Sequence, residues 1–298
     1  MDRREYIGSS EIAALFEVHP WLTPWELWHI KRGDIEPRDL SDSEKVQMGI
    51  ALEASIAEEA ARKWNWKLRK GTFVPHPTIP KMGATPDYFI EAVEGDMVLE
   101  IKNVSSDQAV KWKDEPPLHY LLQLQHQLAC TRCGRGVIVA MIGGWQLRKW
   151  EYGFHVKTVA AIEREVKAFW ESIEEGREPP FEGTESEIKA LNRMYEKMHT
   201  GKVVDLSSSN AFVAACSDYL RLKEEIDKLE RELNVAKATI LACMKEATQA
   251  HGSGFVAKIS ITPARPPRAA EPGEIIPGRA EVRRLSVKFN AANKEKVS

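Results

Sequence analysis

Apolar and polar positions change period several times along the first half of the chain, and each change marks an element. Ser9 to Phe16 reads as a short helix, His19-Pro20-Trp21 as a turn, and Pro24 to Lys31 as a second helix stopped by Gly33. Trp21, Trp25 and Trp28, at intervals of four and three, predict one packed aromatic face. From Ser43 to Trp64 a longer helical stripe runs through Val46, Ile50, Ala57, Ala60 and Trp64, with Glu53 in its middle. The period then drops to two. Lys67 to Pro75, Met82 to Ala92 and Met97 to Asn103, parted by Pro and Gly, predict an antiparallel meander.

Helical period returns over His119 to Arg132, Gly136 to Ile142 is the continuous apolar run of a buried strand, and Gln146 to Tyr152 follows as another strand. Val156 to Ile173 reads as a closing helix. Together these predict an α/β fold, a mixed sheet flanked by helices. Gly176-Arg177-Glu178-Pro179-Pro180 breaks the pattern. The expected organisation is therefore a domain over residues 1–182, a helical appendage over 183–262 and a Pro-rich, flexible tail over 263–298. In the appendage a helix from Thr184 to His199 precedes a long one from Asn210 to Thr248. Leu222, Ile226, Leu229, Leu233, Ala236, Ile240 and Cys243 alternate steps of four and three there, the seam of a coiled coil. Gly254 to Thr262 reads as a strand.

Composition narrows the classes. A formal charge of -2 excludes a globally basic nucleic-acid binder, so any such contact must come from a local groove. Four cysteines are too few and scattered for a disulfide framework. Cys130-x-x-Cys133 lacks a second close pair, so reduced structural thiols are expected. The charged start, Met1 to Tyr6, is unlike a signal peptide, and no apolar run nears the roughly 18 residues of a membrane span, which gives a cytoplasmic reading with no membrane.

Candidate chemistry lies in Val98-Leu99-Glu100-Ile101-Lys102. Strand alternation places Glu100 and Lys102 on one face and Leu99 and Ile101 on the other. Asp87 follows Gly83-Ala84-Thr85-Pro86, a turn that can set its carboxylate across from Glu100. Carboxylates beside an amine suit phosphodiester hydrolysis: hard oxygens hold Mg²⁺, which activates water, and a cation stabilises charge growing on the phosphate. Asp87 and Glu100 are then candidate ligands, the Ile101 carbonyl a further one, and Lys102 orients water or neutralises the transition state. The plainer alternative is a turn-closing Asp87 and a solvated Glu100–Lys102 pair. Glu53 favours the first reading, because a carboxylate on an apolar stripe is costly unless paired or metal-bound.

Six blocks in order carry a resemblance: Ile7-Gly8-Ser9-Ser10-Glu11-Ile12 preceded by Arg3, Thr23-Pro24-Trp25-Glu26-Leu27-Trp28, Gly49-Ile50-Ala51-Leu52-Glu53, Thr85-Pro86-Asp87, Glu100-Ile101-Lys102 and Tyr120-Leu121-Leu122-Gln123-Leu124-Gln125. Over roughly residues 3 to 175 the chain resembles the lambda-type phage exonucleases and the YqaJ viral recombinase group of PD-(D/E)xK nucleases, whose fold is restriction-endonuclease-like. The resemblance implies Glu53, Asp87 and Glu100 as ligands of two magnesium ions, with manganese able to substitute, and Lys102 as catalytic. It also implies Arg3, Ser10, Thr85 and Gln123 near the scissile or terminal phosphate, with Tyr120 beside them. The lambda-like arginine after the ExK strand has no counterpart in Val104-Ser105-Ser106-Asp107-Gln108, where Lys111 or Lys113 would replace it.

The activity implied is hydrolysis of one strand of linear duplex DNA from its end, 5′→3′, by a ring-shaped homotrimer that threads the duplex. The remaining strand would pass to a single-strand annealing protein. An endonuclease with the same site, and a non-catalytic DNA-binding scaffold working through its heptads, are the rival readings. Gln123 and Gln127 also read as the polar face of a helix, and His76, His119 and His126 as structural.

Overall fold

The structure, a computed structural model, describes residues 2–196, 201–252 and 255–259. The strand expected to reach Thr262 and the tail over 263–298 extend outside the described residues. In chain order the elements are α1 (Ile12–Leu15), α2 (Pro24–Arg32), α3 (Glu44–Trp64), β1 (Lys67–Lys70), β2 (Val74–Pro75), β3 (Gly83–Ala84), β4 (Tyr88–Glu91) and β5 (Met97–Val104). Then come α4 (Leu118–Thr131), β6 (Arg135–Ile142), β7 (Gln146–Gly153), α5 (Val156–Glu174), α6 (Glu185–Met194), α7 (Asn210–Met244), β8 (Gln249–Gly252) and β9 (Phe255–Lys258). They fall into two compact units, Met1–Met198 and His199–Ser298.

The first unit is built on a mixed sheet ordered β1-β4-β5-β6-β7. β5 and β6 run parallel with Glu100 opposite Ile138, and every other pairing is antiparallel. A parallel pair needs a crossover, which α4 supplies. Central β6 is buried from Gly136 to Ala140, whereas β1 and β7 carry the charged side chains that protect sheet edges. The expected first strand is split at Gly71: β1 pairs with β4, and β2 pairs with β3 outside the main sheet.

Alternation along β5 decides what each side chain meets. Leu99 and Ile101 pack with Ile56, Ala57 and Ala60 of α3, whereas Val98 and Val104 pack with Leu124 and Leu128 of α4. α4 is buried all round from Leu122 to Cys130, because Leu122, Ala129 and Cys130 join α1 and α5 in a further apolar layer. Only the C-terminal half of the α3 stripe is buried: Ile50 is 63% exposed. At the start of α2, Thr23 accepts from the Glu26 N–H with Pro24 in the first turn, and Gly33 closes the helix at φ 83°. Trp25 and Trp28 are buried, but Trp21 precedes the helix and is 61% exposed, so the three-tryptophan face reduces to two.

The Pro179-Pro180 break does not end this unit. α6, assigned from sequence to the appendage, follows a capping box between Thr184 and Glu187 and packs Ala190 with Trp25, Ile30 and Ile35. Beneath it the Glu26 carboxylate, wholly buried, accepts from Arg38, Ser186 and Arg193. In the second unit α7 precedes a β8–β9 hairpin. Among the described residues no helix is long and apolar enough to cross a membrane.

Burial raises the pKa of Glu26, but its bonds to Arg38, Ser186 and Arg193 outweigh burial and hold it below 4.5. A chain ending at Met198 should therefore resist urea better than one ending at Glu182, by roughly 3–5 kcal/mol, the scale for removing a buried partner. The native value lies below the unfolded one, so this advantage is full above pH 4.5 and shrinks as pH falls through the lowered native value. Equal urea midpoints at neutral pH would place α6 outside the folding unit.

Candidate active site

Glu100 projects from β5 toward α4 and is 2% exposed. Its Oε1 accepts from Lys102 Nζ at 2.5 Å and Gln123 Nε2 at 2.6 Å, and its Oε2 accepts from Gln127 Nε2 at 2.6 Å. The two glutamines are one helical turn apart, so a single face of α4 reaches both carboxylate oxygens. The structure thus shows Gln123 bonded to the Glu100 carboxylate. Gln127, which the sequence leaves on a polar face, belongs to the same cluster. Its signal was the amide pair Gln123 and Gln127 at i, i+4 on one face of a buried helix.

Lys102 lies 4.8 Å from the centre of the Tyr120 ring. Burial lowers its pKa, but the Glu100 and Asp87 carboxylates outweigh burial and raise it above the ordinary value. The amine is a fixed cation. Asp87 Oδ2 accepts from the Ile101 N–H at 2.7 Å, just beyond the last β4–β5 pair, Tyr88↔Leu99. Burial first, then the negative charge of Glu100, pushes Asp87 up to about 8 against the pull of Lys102, with Glu53 adding to the rise. Thr85 is exposed beside Pro86.

Two contacts hold the Asp87 turn. The Gly71 N–H donates to the Asp87 carbonyl at 3.0 Å, and a Cβ on Gly71 would fall 1.9 Å from the Pro86 carbonyl oxygen. His126 Nε2 lies 2.9 Å from the Gly83 carbonyl, and burial lowers its pKa to about 4. The neutral ring must donate there. Close backbone approach at Gly71 left no mark in the apolar pattern.

Glu53 departs from expectation. It extends from α3, which covers the opposite face of the sheet, and pairs with Lys70 at 2.5 Å while its side chain is 27% exposed. The premise of a buried, unpaired carboxylate on an apolar stripe does not hold. Glu53 influences Asp87 electrostatically, but among the described residues no three acidic, His or Cys side chains form a ready metal-holding group. The donor chemistry still suits a hard divalent cation, because the crowded carboxylates that raise Asp87 are what such a cation relieves.

A second group lies at the N-terminus. Arg3 Nη2 donates to Ser10 Oγ at 3.3 Å at the wall of a groove of about 880 Å³ that also reaches Lys45 and Asn103, the residue after Lys102. Wholly buried Lys31 donates to the carbonyls of Arg3 and Tyr6, both at 2.6 Å, and to Glu11, whose Oε2 also accepts from the Gly8 N–H. Burial lowers the Lys31 pKa, opposed by Glu11. α1 is one turn long with Glu11 at its N-cap, so Ser10 does not cap it.

His119 is the third histidine that the sequence reads as structural. Its buried Nε2 meets no hydrogen-bond partner among the described residues, and burial, then His19, Lys102 and Lys111, lower its pKa to about 4. Burial raises the Cys130 thiol to about 12 and also raises Cys133, which keeps both protonated.

A mixed α/β sheet with a glutamate–lysine pair on its central strand β5 and an aspartate at the end of the neighbouring β4 defines the class of site. Residues 1–134 match the family model of the YqaJ-like viral recombinase domain. The chain is similar to the uncharacterized protein YqaJ of Bacillus subtilis (strain 168), 28% identical over 252 residues that cover 83% of this chain and 77% of that protein. Among solved structures it is similar to an alkaline exonuclease (LHK-Exo) from Laribacter hongkongensis, with a TM-score of 0.49, 21% identity, and coverage of 66% of this chain and 96% of that one. A phage-related exonuclease from Haemophilus somnus 129PT gives a TM-score of 0.45 at 11% identity, covering 57% of this chain and 94% of that one.

A Cβ at Gly71→Ala would fall 1.9 Å from the Pro86 carbonyl oxygen, so the variant should shift the Pro86-Asp87 turn and destabilise the protein by about 1–3 kcal/mol, the scale of overpacking. Urea unfolding checks the loss, and a variant as stable as the parent would show that the turn tolerates the extra atom.

Gln127→Leu leaves one Glu100 oxygen buried without a donor and should destabilise the protein by about 1–3 kcal/mol. Gln127→Glu sets a second carboxylate against Glu100 and should cost more. Chemical denaturation of both variants checks the order, and a Leu variant as stable as the parent would mean that Glu100 does not depend on α4.

Proposed function

We propose that the protein is a magnesium-dependent exonuclease that removes nucleotides from one strand of linear duplex DNA, in the 5′→3′ direction. The observation that carries this reading is the Asp87–Glu100–Lys102 cluster, with a groove holding Arg3 and Ser10 reaching the next residue of the same strand. The viral recombinase domain supports DNA as the substrate. The remaining strand would then pass to a single-strand annealing protein.

Asp87 and Glu100 would hold the magnesium, with the Ile101 carbonyl as a further oxygen. Residue 101 turns its N–H toward Asp87, and a strand residue presents its carbonyl to the same side. Glu53 would contribute from the α3 side once released from Lys70. Bound there, magnesium supplies Lewis acidity toward water and the phosphate. Gln123 and Gln127 fix the Glu100 carboxylate in one orientation. Lys102, kept charged by its two carboxylate neighbours, sets a positive charge where negative charge grows on the phosphate. Arg3, braced by Ser10 and by the Lys31 bond to its carbonyl, would grip a terminal 5′-phosphate.

The test is linear duplex DNA labelled at either end, incubated with and without Mg²⁺, beside covalently closed DNA. Mononucleotides should appear from the 5′ end only with the metal, closed DNA should survive, and 5′-phosphate ends should react faster than 5′-hydroxyl ends. Glu100→Ala and Lys102→Ala should each lower the rate at least about 100-fold. Calorimetry should show weaker Mg²⁺ binding for the Glu100 variant alone, and Arg3→Ala should erase the preference for phosphate. Internal cleavage of closed DNA would favour the endonuclease reading, and DNA binding without hydrolysis under any metal would favour the scaffold.

A further inference from the structure

Trp21, set apart from the packed pair Trp25 and Trp28, takes no part in the core or in the chemistry proposed above. Its ring is 61% exposed and lines the groove that also holds Arg3, Ser10, Lys45 and Asn103. Among the described residues every tryptophan except Trp21 and Trp145 meets a cation or a tilted ring, whereas Trp21 meets the His19 ring edge-on at 6.0 Å. We infer, on the exonuclease reading, that Trp21 is the platform on which the nucleobase of the 5′-terminal nucleotide stacks.

The backbone that carries this ring is fixed. The Trp21 carbonyl accepts from Arg38 Nη2 at 2.8 Å and from Ser186 Oγ at 3.3 Å, and its N–H donates to His19 Nδ1 at 3.2 Å. Neighbouring Leu22 packs against two apolar clusters. A large aromatic ring on an anchored main chain offers contact area at little further loss of freedom.

The surroundings select the occupant. Arg3 and Lys45 set cations into the same wall as the indole, and a strand end presents a phosphate and a flat base side by side. Inside a duplex both faces of a base are covered by its neighbours, so only the base at a strand end has a face to lay on Trp21. This part of the groove also lies near the site: after burial, the charges of His19, in the same wall, and of Lys102 are what lower the His119 pKa, so both lie close to that ring. Stacking reads no base edge, so the platform accepts all four bases, which suits removal of nucleotides in succession.

The test is binding of a short 5′-phosphorylated single strand, labelled at its 3′ end and followed by fluorescence anisotropy in a chelator that prevents hydrolysis. The full chain should hold a strand with an intact 5′ nucleoside about tenfold tighter than one whose 5′ residue is abasic, the scale of one stacked base. Trp21→Ala should bind the two alike yet still prefer 5′-phosphate to 5′-hydroxyl, which shows the groove intact. Trp21→Phe should keep most of the difference, as should Trp145→Ala, whose ring is 79% exposed but lies outside the groove. The ratio should hold as salt is raised, because stacking releases no counterions, while overall affinity falls. A Trp21→Ala variant that keeps the difference, or a parent that lacks it while hydrolysing linear duplex, would overturn the platform and leave the exonuclease reading standing. A parent that neither binds strand ends nor hydrolyses DNA would overturn both.

Discussion

A carboxylate 2% exposed inside a sheet of Val, Ile and Leu has to be compensated, and much of the first unit is arranged around that need at Glu100. Two amide donors come from one face of α4, and the third donor is charged and lies two residues along the same strand. α4 must therefore run close over β5 and β6, as a crossover between parallel strands does. That in turn buries α4 from Leu122 to Cys130 and requires the apolar layer from α1 and α5 on its far side. The site and the crossover are one device: without α4, Glu100 would lose both amide partners and β5 and β6 their connection.

How much of this was legible depended on whether the signal was periodic. β5, α4, β6, β7 and α5 follow from a clean change of period, and the faces of Glu100 and Lys102 from alternation alone. Glu53 misled because its stripe is apolar in sequence, yet burial on α3 begins only at Ile56 and Ile50 stays exposed. Lys70, the last residue of an edge strand, offered a partner that periodicity could not reveal. α6 was misplaced for a related reason: Pro179-Pro180 marks a change of direction, and only tertiary contacts such as Arg193 to Glu26 show that the chain returns to the same core. Gly71 is legible only once Pro86 is seen against it.

Lys31 shows how a buried charge can place a surface one. Its amine gathers the Arg3 and Tyr6 carbonyls and the Glu11 carboxylate at one point, which fixes the segment from Arg3 to Glu11 against α2. The same segment is stitched to the strand leading toward Asp87, since Ile7 donates to the Lys81 carbonyl at 2.8 Å and Gly83 donates to the Ile7 carbonyl at 3.1 Å. Arg3 and Asp87 are thereby referred to one rigid frame although 84 positions separate them in sequence (87 − 3). A flexible tail bearing Arg3 would give the same charge without the fixed distance on which positioning a strand end depends.

The local charge balance in the groove explains how a chain of net charge -2 could hold a polyanion. Arg4 is tied to Glu36 and Arg38 to Glu26, so two of the four arginines and lysines at the wall are neutralised by structural partners. Arg3 and Lys45 form no ion pair among the described residues. The groove is thus weakly positive at a few chosen points rather than along its length. On the proposed reading, binding there neutralises few phosphates at once, so its dependence on salt should be shallow. On that reading the groove would hold a strand loosely along its length and firmly only at Arg3, a distribution suited to an enzyme that must release and re-seat its substrate after every nucleotide.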